Sequence, residues 1–306
     1  MAGGLMGSVV VLAGGTGGAK LARGMLDVAG DDLVVIANTG DDIEIYGAYV
    51  SPDPDLCTFW LADRIDDRGW GLRDDTFAVM EGLRELGADV WFELGDRDLA
   101  IGIERARRLS DGARLTDALT ELGAALGTRG RVLPMSDAPV RTWVRKDGHW
   151  MAFQEFMIRA GGEGPIQDTK LRGAADARPT PEVLAALADA RAIVIGPSNP
   201  IISIGPILAV PGMRDALIES AAPVVAVSPI VGGEVLKGPT AEFMRSAGFA
   251  VTTDGIADLY GNLLDGLVAD EDVEGLPLLR TDTLLNDPDA RRRVAGETLR
   301  FAEALA

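Results

Sequence analysis

Two hydrophobic rhythms alternate along this chain. Short unbroken apolar runs, at residues 9–12, 33–37, 192–195 and 224–227, suit inner strands of a parallel sheet covered on both faces. Between them lie stretches with apolar residues every three or four positions. These predict helices over 19–28, 74–88, 181–190, 240–247, 256–267 and 287–305, the second ending at Gly87 as its C-cap. Further strands are expected at 89–96, 249–253 and 276–280. The alternation predicts an α/β fold, Rossmann-like, with a mostly parallel sheet flanked by helices. Between 99 and 167 the rhythm changes. Helical stretches at 101–109 and 116–126 lead into alternating residues around a KDGH turn, which predict a β-hairpin with arms 141–144 and 150–159. A smaller α+β subdomain, residues 99–167, is therefore expected inside a Rossmann-like nucleotide-binding domain formed by 1–98 and 168–306.

Polar chemistry gathers where the apolar runs end, and in open α/β sheets those ends face the ligand crevice. After the first run comes GGTGG: Gly14, Gly15, Thr16, Gly17 and Gly18, followed closely by Lys20. With one Cβ in five residues, backbone N–H groups can close on an anion at the positive end of a helix starting near Ala19. The segment matches neither named phosphate motif. Lys20 stands where the dinucleotide fingerprint needs glycine, and Ala19 where the Walker spacing does. A tight corner without ligand is the competing reading.

The second run ends in NTGDD, with Asn38, Asp41 and Asp42. Two adjacent carboxylates beside a phosphate seat repel one another unless a cation joins them, which favours Mg²⁺; for Asp42 alone a solvated Asx turn competes. In SPDPD, Asp53 and Asp55 sit at the mouth of a helix expected from Leu56. Asp55 is its N-cap or a second metal ligand. Later strand ends carry GDRDLA, whose Arg97 either clamps a phosphate or pairs with its neighbours, and GPSNP, with Ser198 and Asn199. Paired Gly232 and Gly233 precede Lys237. Lysine occurs four times in the chain, so finding Lys20 and Lys237 beside glycine turns points toward anion contacts. Cys57, Phe59, Trp60 and Ile65, like the aromatic residues Trp143, Trp150, Phe153 and Phe156, read as core.

Composition narrows the chemistry. A net charge of −18, from 29 basic and 47 acidic residues in 306, repels nucleic acid and anionic membranes. Cys57 is the single cysteine and His149 the single histidine, so disulfides within the chain, structural zinc sites and histidine-rich metal sites are excluded. The absence of a secretory signal or spanning apolar run fits a reducing cytoplasm, residues 1–6 reading as a frayed leader.

Taken together, GGTGG, NTGDD, SPDPD, GDRDLA, GPSNPIISIGPIL and SPIVGGEVLKGP resemble, in order and over nearly the whole chain, the 2-phospho-L-lactate transferase and phosphoenolpyruvate transferase family (CofD and FbiA) of coenzyme F-420 biosynthesis. The resemblance implies a magnesium-dependent, homodimeric enzyme. Its reaction joins the deazaflavin Fo to a phosphorylated three-carbon acid (2-phospholactate, phosphoenolpyruvate or phosphoglycerate) carried as a guanosine diphosphate derivative, releasing GMP. It places the metal on Asp41 and Asp55, the guanosine nucleotide on residues 14–18 with Ser198 and Asn199, and Fo near 96–100, 135–137 and 153–155. Lys20, Asn38 and Lys237 are further nucleotide-binding candidates. Asp42 or a metal-polarised alkoxide handles the proton. Relatives often carry histidine just before FQE, where this chain has Ala152.

Two other readings compete. A nucleotide-sugar-binding regulator of the gluconeogenesis-factor type carries a segment like DDGGSSGR after the acidic pair, whereas here Asp42 is followed by IEIYGAYVSPDPD. A nicotinamide oxidoreductase is disfavoured by the broken fingerprint and the late acid.

Overall fold

The computed structural model describes residues 7–235 and 238–306. The expected leader and Lys237 lie outside them. In chain order the strands are β1 (Ser8–Ala13), β2 (Leu33–Ala37), the hairpin β3 (Ile43–Ile45) and β4 (Ala48–Val50), β5 (Arg131–Pro134), the hairpin β6 (Arg141–Lys146) and β7 (His149–Ala152), β8 (Asp168–Arg172), β9 (Ala190–Ile195), β10 (Val224–Val227), the short pair β11 (Ile230–Val231) and β12 (Glu234–Val235), β13 (Gly266–Ala269) and β14 (Leu278–Arg280). Seven form one sheet, in the order β14-β13-β10-β9-β1-β2-β5, and every neighbouring pair is parallel.

Side chains alternate across this sheet with period two, and both faces are apolar. Val9, Val11 and Ala13 of β1 join Leu33, Val35 and Ala37 of β2 beneath α1 (Gly15–Ala29), α2 (Pro52–Leu61) and the C-terminal helix (Pro288–Leu305). Val10, Leu12, Val34 and Ile36 face the other way, onto Val183 and Leu187 and onto Ile204, Ile207 and Met213. The result is a three-layer α/β/α fold. Its strand order reverses between β1 and β9, since the chain steps from β1 to β2 on one side and from β9 to β10 on the other. Such a reversal parts the loops at the carboxyl ends and opens a crevice between them.

Three further helices shape that rim: α3 (Ala78–Glu85), α4 (Asp96–Ser110) and α5 (Leu115–Leu126). A three-stranded antiparallel sheet, β7-β6-β8, packs beside α6 (Phe153–Ile158) around Val144, Phe153, Phe156 and Phe243. Among the described residues no helix is long and apolar enough to cross a membrane.

Several sequence expectations shift. The 99–167 insertion does not follow the sheets: β5, inside it, is the edge of the main sheet beside β2, while β8, outside it, pairs with β6. Helix α1 begins at Gly15 rather than Ala19, so the glycine segment is a helical first turn. Helix α2 begins at Pro52 rather than Leu56, and α3 is shorter than 74–88. Residues 89–95 form no strand, because β5 fills the sheet edge beside β2; the Trp91 and Phe92 N–H groups donate instead to Tyr46 Oη (2.9 and 3.0 Å). Residues 249–252 are likewise no strand but an approach to Thr252, which caps the helix Thr253–Tyr260 through the Gly255 N–H. That helix stops short of 267, and β13 occupies 266–269. The second hairpin arm turns into α6 at Phe153.

Candidate active site

Ser51 and Pro52 start α2, so Asp53 and Asp55 both lie in its first turn. On a helix, side chains two residues apart point about 200° apart, and here they diverge. Asp53 turns to the start of α1. Its Oδ1 accepts from Gly15 N (2.6 Å) and its Oδ2 from Asn38 Nδ2 (2.9 Å). Asp55 turns to α4, where the fully buried Arg105 grips both oxygens: Nη1 donates to Oδ2 (3.0 Å) and Nη2 to Oδ1. Arg105 Nη1 also donates to Tyr49 O (2.9 Å). A divalent cation at Asp55 would meet this guanidinium at close range, and like charges in a buried place repel strongly. The carboxylate lying beside the glycine segment is therefore that of Asp53, in the place expected for Asp55.

Asn38 closes the loop after β2. Its Oδ1 accepts from Gly40 N (2.7 Å), while its amide holds Asp53 and reaches Ile202 O (3.4 Å). This commits Asn38 to protein groups rather than to the nucleotide expected there. It also brings Asp41 into the crevice. Asp41 is 6% exposed, and its carboxyl is held well above the usual carboxylate range by burial and then by the negative charge of Asp53. Burial likewise raises Asp53. Asp41 Oδ1 is buried with no hydrogen-bond partner, as are Thr39 Oγ1 and Asn199 Nδ2. Buried orphan oxygens beside a second carboxylate are costly unless a ligand meets them.

That arrangement suits a divalent cation. Among the described residues no group of three or more His, Cys, Asp or Glu side chains is placed to hold a metal. A site here offers two carboxylates, which is what Mg²⁺ takes when water and substrate phosphates complete its octahedron.

Asp42 has partners of its own. Its Oδ1 accepts from Ser51 Oγ (2.8 Å) and its Oδ2 from Tyr49 Oη (3.0 Å), and Arg141 Nη2 donates to the same Tyr49 oxygen (3.1 Å). Burial raises Asp42 to about 7 despite the nearby Arg141 and Arg105 charges, a value suited to accepting a proton at neutral pH.

The glycine segment packs more tightly than a phosphate loop requires. A Cβ at Gly14 would sit 2.8 Å from Asp53 Oδ2 and 2.7 Å from Ser203 Cβ, and one at Gly17 only 2.1 Å from Pro197 O. Gly14 N donates to Ser198 Oγ (3.4 Å), and Gly15 N is taken by Asp53. The first two amides of the expected anion seat thus hold protein oxygens. Thr16 and Lys20 line a cleft on the outer side of α1. Asn199 Oδ1 accepts from Ile201 N (2.9 Å) and Ile202 N (3.2 Å), holding the GPSNP turn against the crevice.

Of the segments expected near Fo, one reaches this centre: Gln154 Nε2 lies 3.5 Å from Asp41 O. Asp137 instead receives the Thr116 N–H and hydroxyl at the start of α5, and Asp96 caps α3 through Val79 N. The Arg97 side chain is exposed. Sequence reasoning missed Arg105, Tyr49 and Arg141. The Ser-Pro pair at 51–52, which fits N-cap and first helical position, was the signal that Asp53 and Asp55 sit inside a helix and face apart.

Known proteins resemble this chain over nearly its whole length. A model of the family described as 2-phospho-L-lactate transferase CofD matches residues 9–283. A 2-phospho-L-lactate transferase of Methanopyrus kandleri is 40% identical over 307 residues, covering 97% of this chain and 98% of that protein. The Methanosarcina mazei protein of the same name is 38% identical over 298 residues, covering 94% and 98%. A phosphoenolpyruvate transferase of Streptomyces griseus is 42% identical over 313 residues, covering 96% and 98%. In fold, the chain resembles the crystal structure of protein BH3568 from Bacillus halodurans at a TM-score of 0.64 and 20% identity, over 96% of this chain and all of that one.

Proposed function

The chain belongs to the 2-phospho-L-lactate transferase CofD family, and from that premise we propose that this transferase moves a phosphorylated three-carbon acid from a guanosine diphosphate derivative to the terminal ribityl hydroxyl of the deazaflavin Fo, releasing GMP. Relatives named for phospholactate and for phosphoenolpyruvate match at similar identity, so the donor class is taken as phosphorylated three-carbon acids. The observation that carries the reading is the buried pair Asp41 and Asp53 at the start of α1, with Asp41 Oδ1 left unpartnered.

In this reading Asp41 and Asp53 would hold Mg²⁺, which would supply charge neutralisation for the diphosphate. The ribityl oxygen forms the new bond to the phosphorus of the phospho-acid, and the bond from that phosphorus to GMP breaks. The chain's own groups then align and deprotonate. Asn38 fixes Asp53, the Thr142 N–H holds Gly40 O (2.7 Å) beside Asp41, and Asp42 accepts the proton of the attacking hydroxyl. Tyr49 and Ser51 orient Asp42 and stabilise its charged form. Arg105 acts at one remove, anchoring α2 through Asp55 so that Asp53 keeps its place. A homodimer belongs to the same proposal.

The test is direct. Incubation with Fo, Mg²⁺ and each guanylylated acid, followed by mass analysis, should yield one conjugate whose mass adds the phospho-acid to Fo, together with GMP. No conjugate with any of the three acids would overturn the reading.

A further inference from the structure

The strands β6, β7 and β8 read RTWVRK, HWMA and DTKLR, and successive residues of each point to opposite sides of their sheet. One side is core, where Val144 packs with Phe153, Phe156 and Phe243. The register assembles the other, because directly opposite residues share a face. Arg141 lies opposite Arg172, Trp143 opposite Lys170, and Arg145 opposite both Asp168 and Trp150. Four cations, two indoles and one carboxylate therefore occupy the outward face of this small sheet, in a chain whose net charge is −18.

Among the described residues none of these four cations forms an ion pair. Arg172 lies 3.4 Å over the Trp143 ring and Lys170 3.9 Å over that of Trp150, so each indole carries a charge on one side and the face is not a greasy one in need of apolar cover. Asp168 Oδ1 is taken by its own neighbour, Thr169 N (2.8 Å). At one end the face meets the candidate site. Arg141 Nη2 donates to the Tyr49 hydroxyl that holds Asp42, and the next residue, Thr142, holds Gly40 O through its N–H. From there the strand carries the face outward, Arg145 standing four residues and about 14 Å along β6.

A polyanion approaching so acidic a chain is repelled over most of its surface, and the crevice it must enter carries Asp41 and Asp53. We propose that the outward face of β6, β7 and β8 steers the anionic donor toward the crevice, raising its association rate, while Arg145, Lys170 and Arg172 make no contact with it once bound. The inference rests on the guanosine diphosphate donor proposed above. Cations left unpaired on one side of an acidic chain set up an attractive field beside the site. That field acts before contact and is screened by salt over about 8–10 Å, so it governs arrival rather than residence.

Stopped-flow mixing of the full chain and Mg²⁺ with the fluorescent N-methylanthraniloyl derivative of GDP, over a range of ionic strengths, tests it. Arg145 and Arg172 are exposed, so the double variant Arg145→Gln with Arg172→Gln keeps the fold. Its association rate at low salt should fall about tenfold with the dissociation rate unchanged, and the dependence of association on salt should flatten. Arg145→Lys with Arg172→Lys keeps the charge and should keep the rate. Arg129→Gln with Arg131→Gln removes the same charge where β5 begins, at the end of the main sheet away from the crevice, and should leave association unchanged. Equal association rates in the unmodified chain and the Arg145, Arg172 glutamine variant, a loss confined to dissociation, or no association with the unmodified chain would overturn the proposal. So would a smaller molecular mass of that variant in sedimentation, which would mark this face as a contact between copies. If rates are equal while the unmodified chain forms the Fo conjugate, steering fails and the transfer reading stands. If association depends on the face but no conjugate forms, steering stands and the transfer reading fails.

Discussion

Asp53 and Asp55, two residues apart in the first turn of α2, face opposite partners: Asp53 accepts from the Gly15 N–H at the start of α1, and Asp55 is gripped by buried Arg105 of α4. The pair separates two duties that SPDPD merges when it is read as a string, one carboxylate for the crevice and one for the framework.

Substitutions should tell those duties apart. Asp53→Asn should lower turnover by at least about 10²-fold through lost electrostatic stabilisation, with little loss of melting temperature. Asp55→Ala leaves Arg105 buried and unpaired, which costs about 3–5 kcal/mol. Thermal unfolding and steady-state rates measured side by side would show it, and the reverse pattern would refute the assignment.

The crevice carboxylates also predict how stability responds to pH and magnesium. Burial raises Asp41, Asp42 and Asp53 above the ordinary carboxylate range, Asp42 to about 7. Folded chains then bind protons that unfolded chains have lost, so this contribution is complete below the unfolded value of about 4 and disappears as pH rises through the folded values. Without metal, the melting temperature should fall between about pH 5 and pH 7.5. Added Mg²⁺ should raise it more at the upper end, because the cation competes with protons for the same oxygens. Calorimetric scans with and without Mg²⁺ at several pH values check this, and a Mg²⁺ effect that shrinks with rising pH would contradict it.

Tyr49→Phe removes the hydroxyl that donates to Asp42 Oδ2. A hydrogen bond to the charged form lowers a carboxyl pKa, so its loss should move the acid limb of the rate profile upward by about one unit. A profile displaced downward or left in place would separate Asp42 from the proton transfer.

Gly17→Ala would set a Cβ 2.1 Å from Pro197 O, a backbone atom that cannot turn aside. Overpacking of this kind costs about 1–3 kcal/mol, and the parting of α1 from the GPSNP turn should lower activity as well. An alanine variant with unchanged melting temperature and turnover would mean that this contact bears no structural role.

Much of the sheet was legible because its inner strands are apolar on both faces: 9–12, 33–37, 192–195 and 224–227 all fall in β1, β2, β9 and β10. Where sequence reasoning failed, the missing information was spatial. Residues 89–95 carry strand-like composition, yet β5 holds the edge beside β2. Asp41 and Asp42 were recognisable as an acidic pair, but the different partners each one takes depend on neighbours brought in from β4, α2 and β6. The partner of Asp55 lies fifty residues away on α4 and leaves no local mark.

One consequence follows from β5 being the outermost strand beside β2. Excising the middle of the chain would strip the hydrogen-bonding border from Leu33–Ala37 and bare a greasy edge open to pairing with other chains. The same cut would unfasten Gly40 from Thr142, so a shortened chain would both self-associate along that edge and lose the footing of its acidic loop.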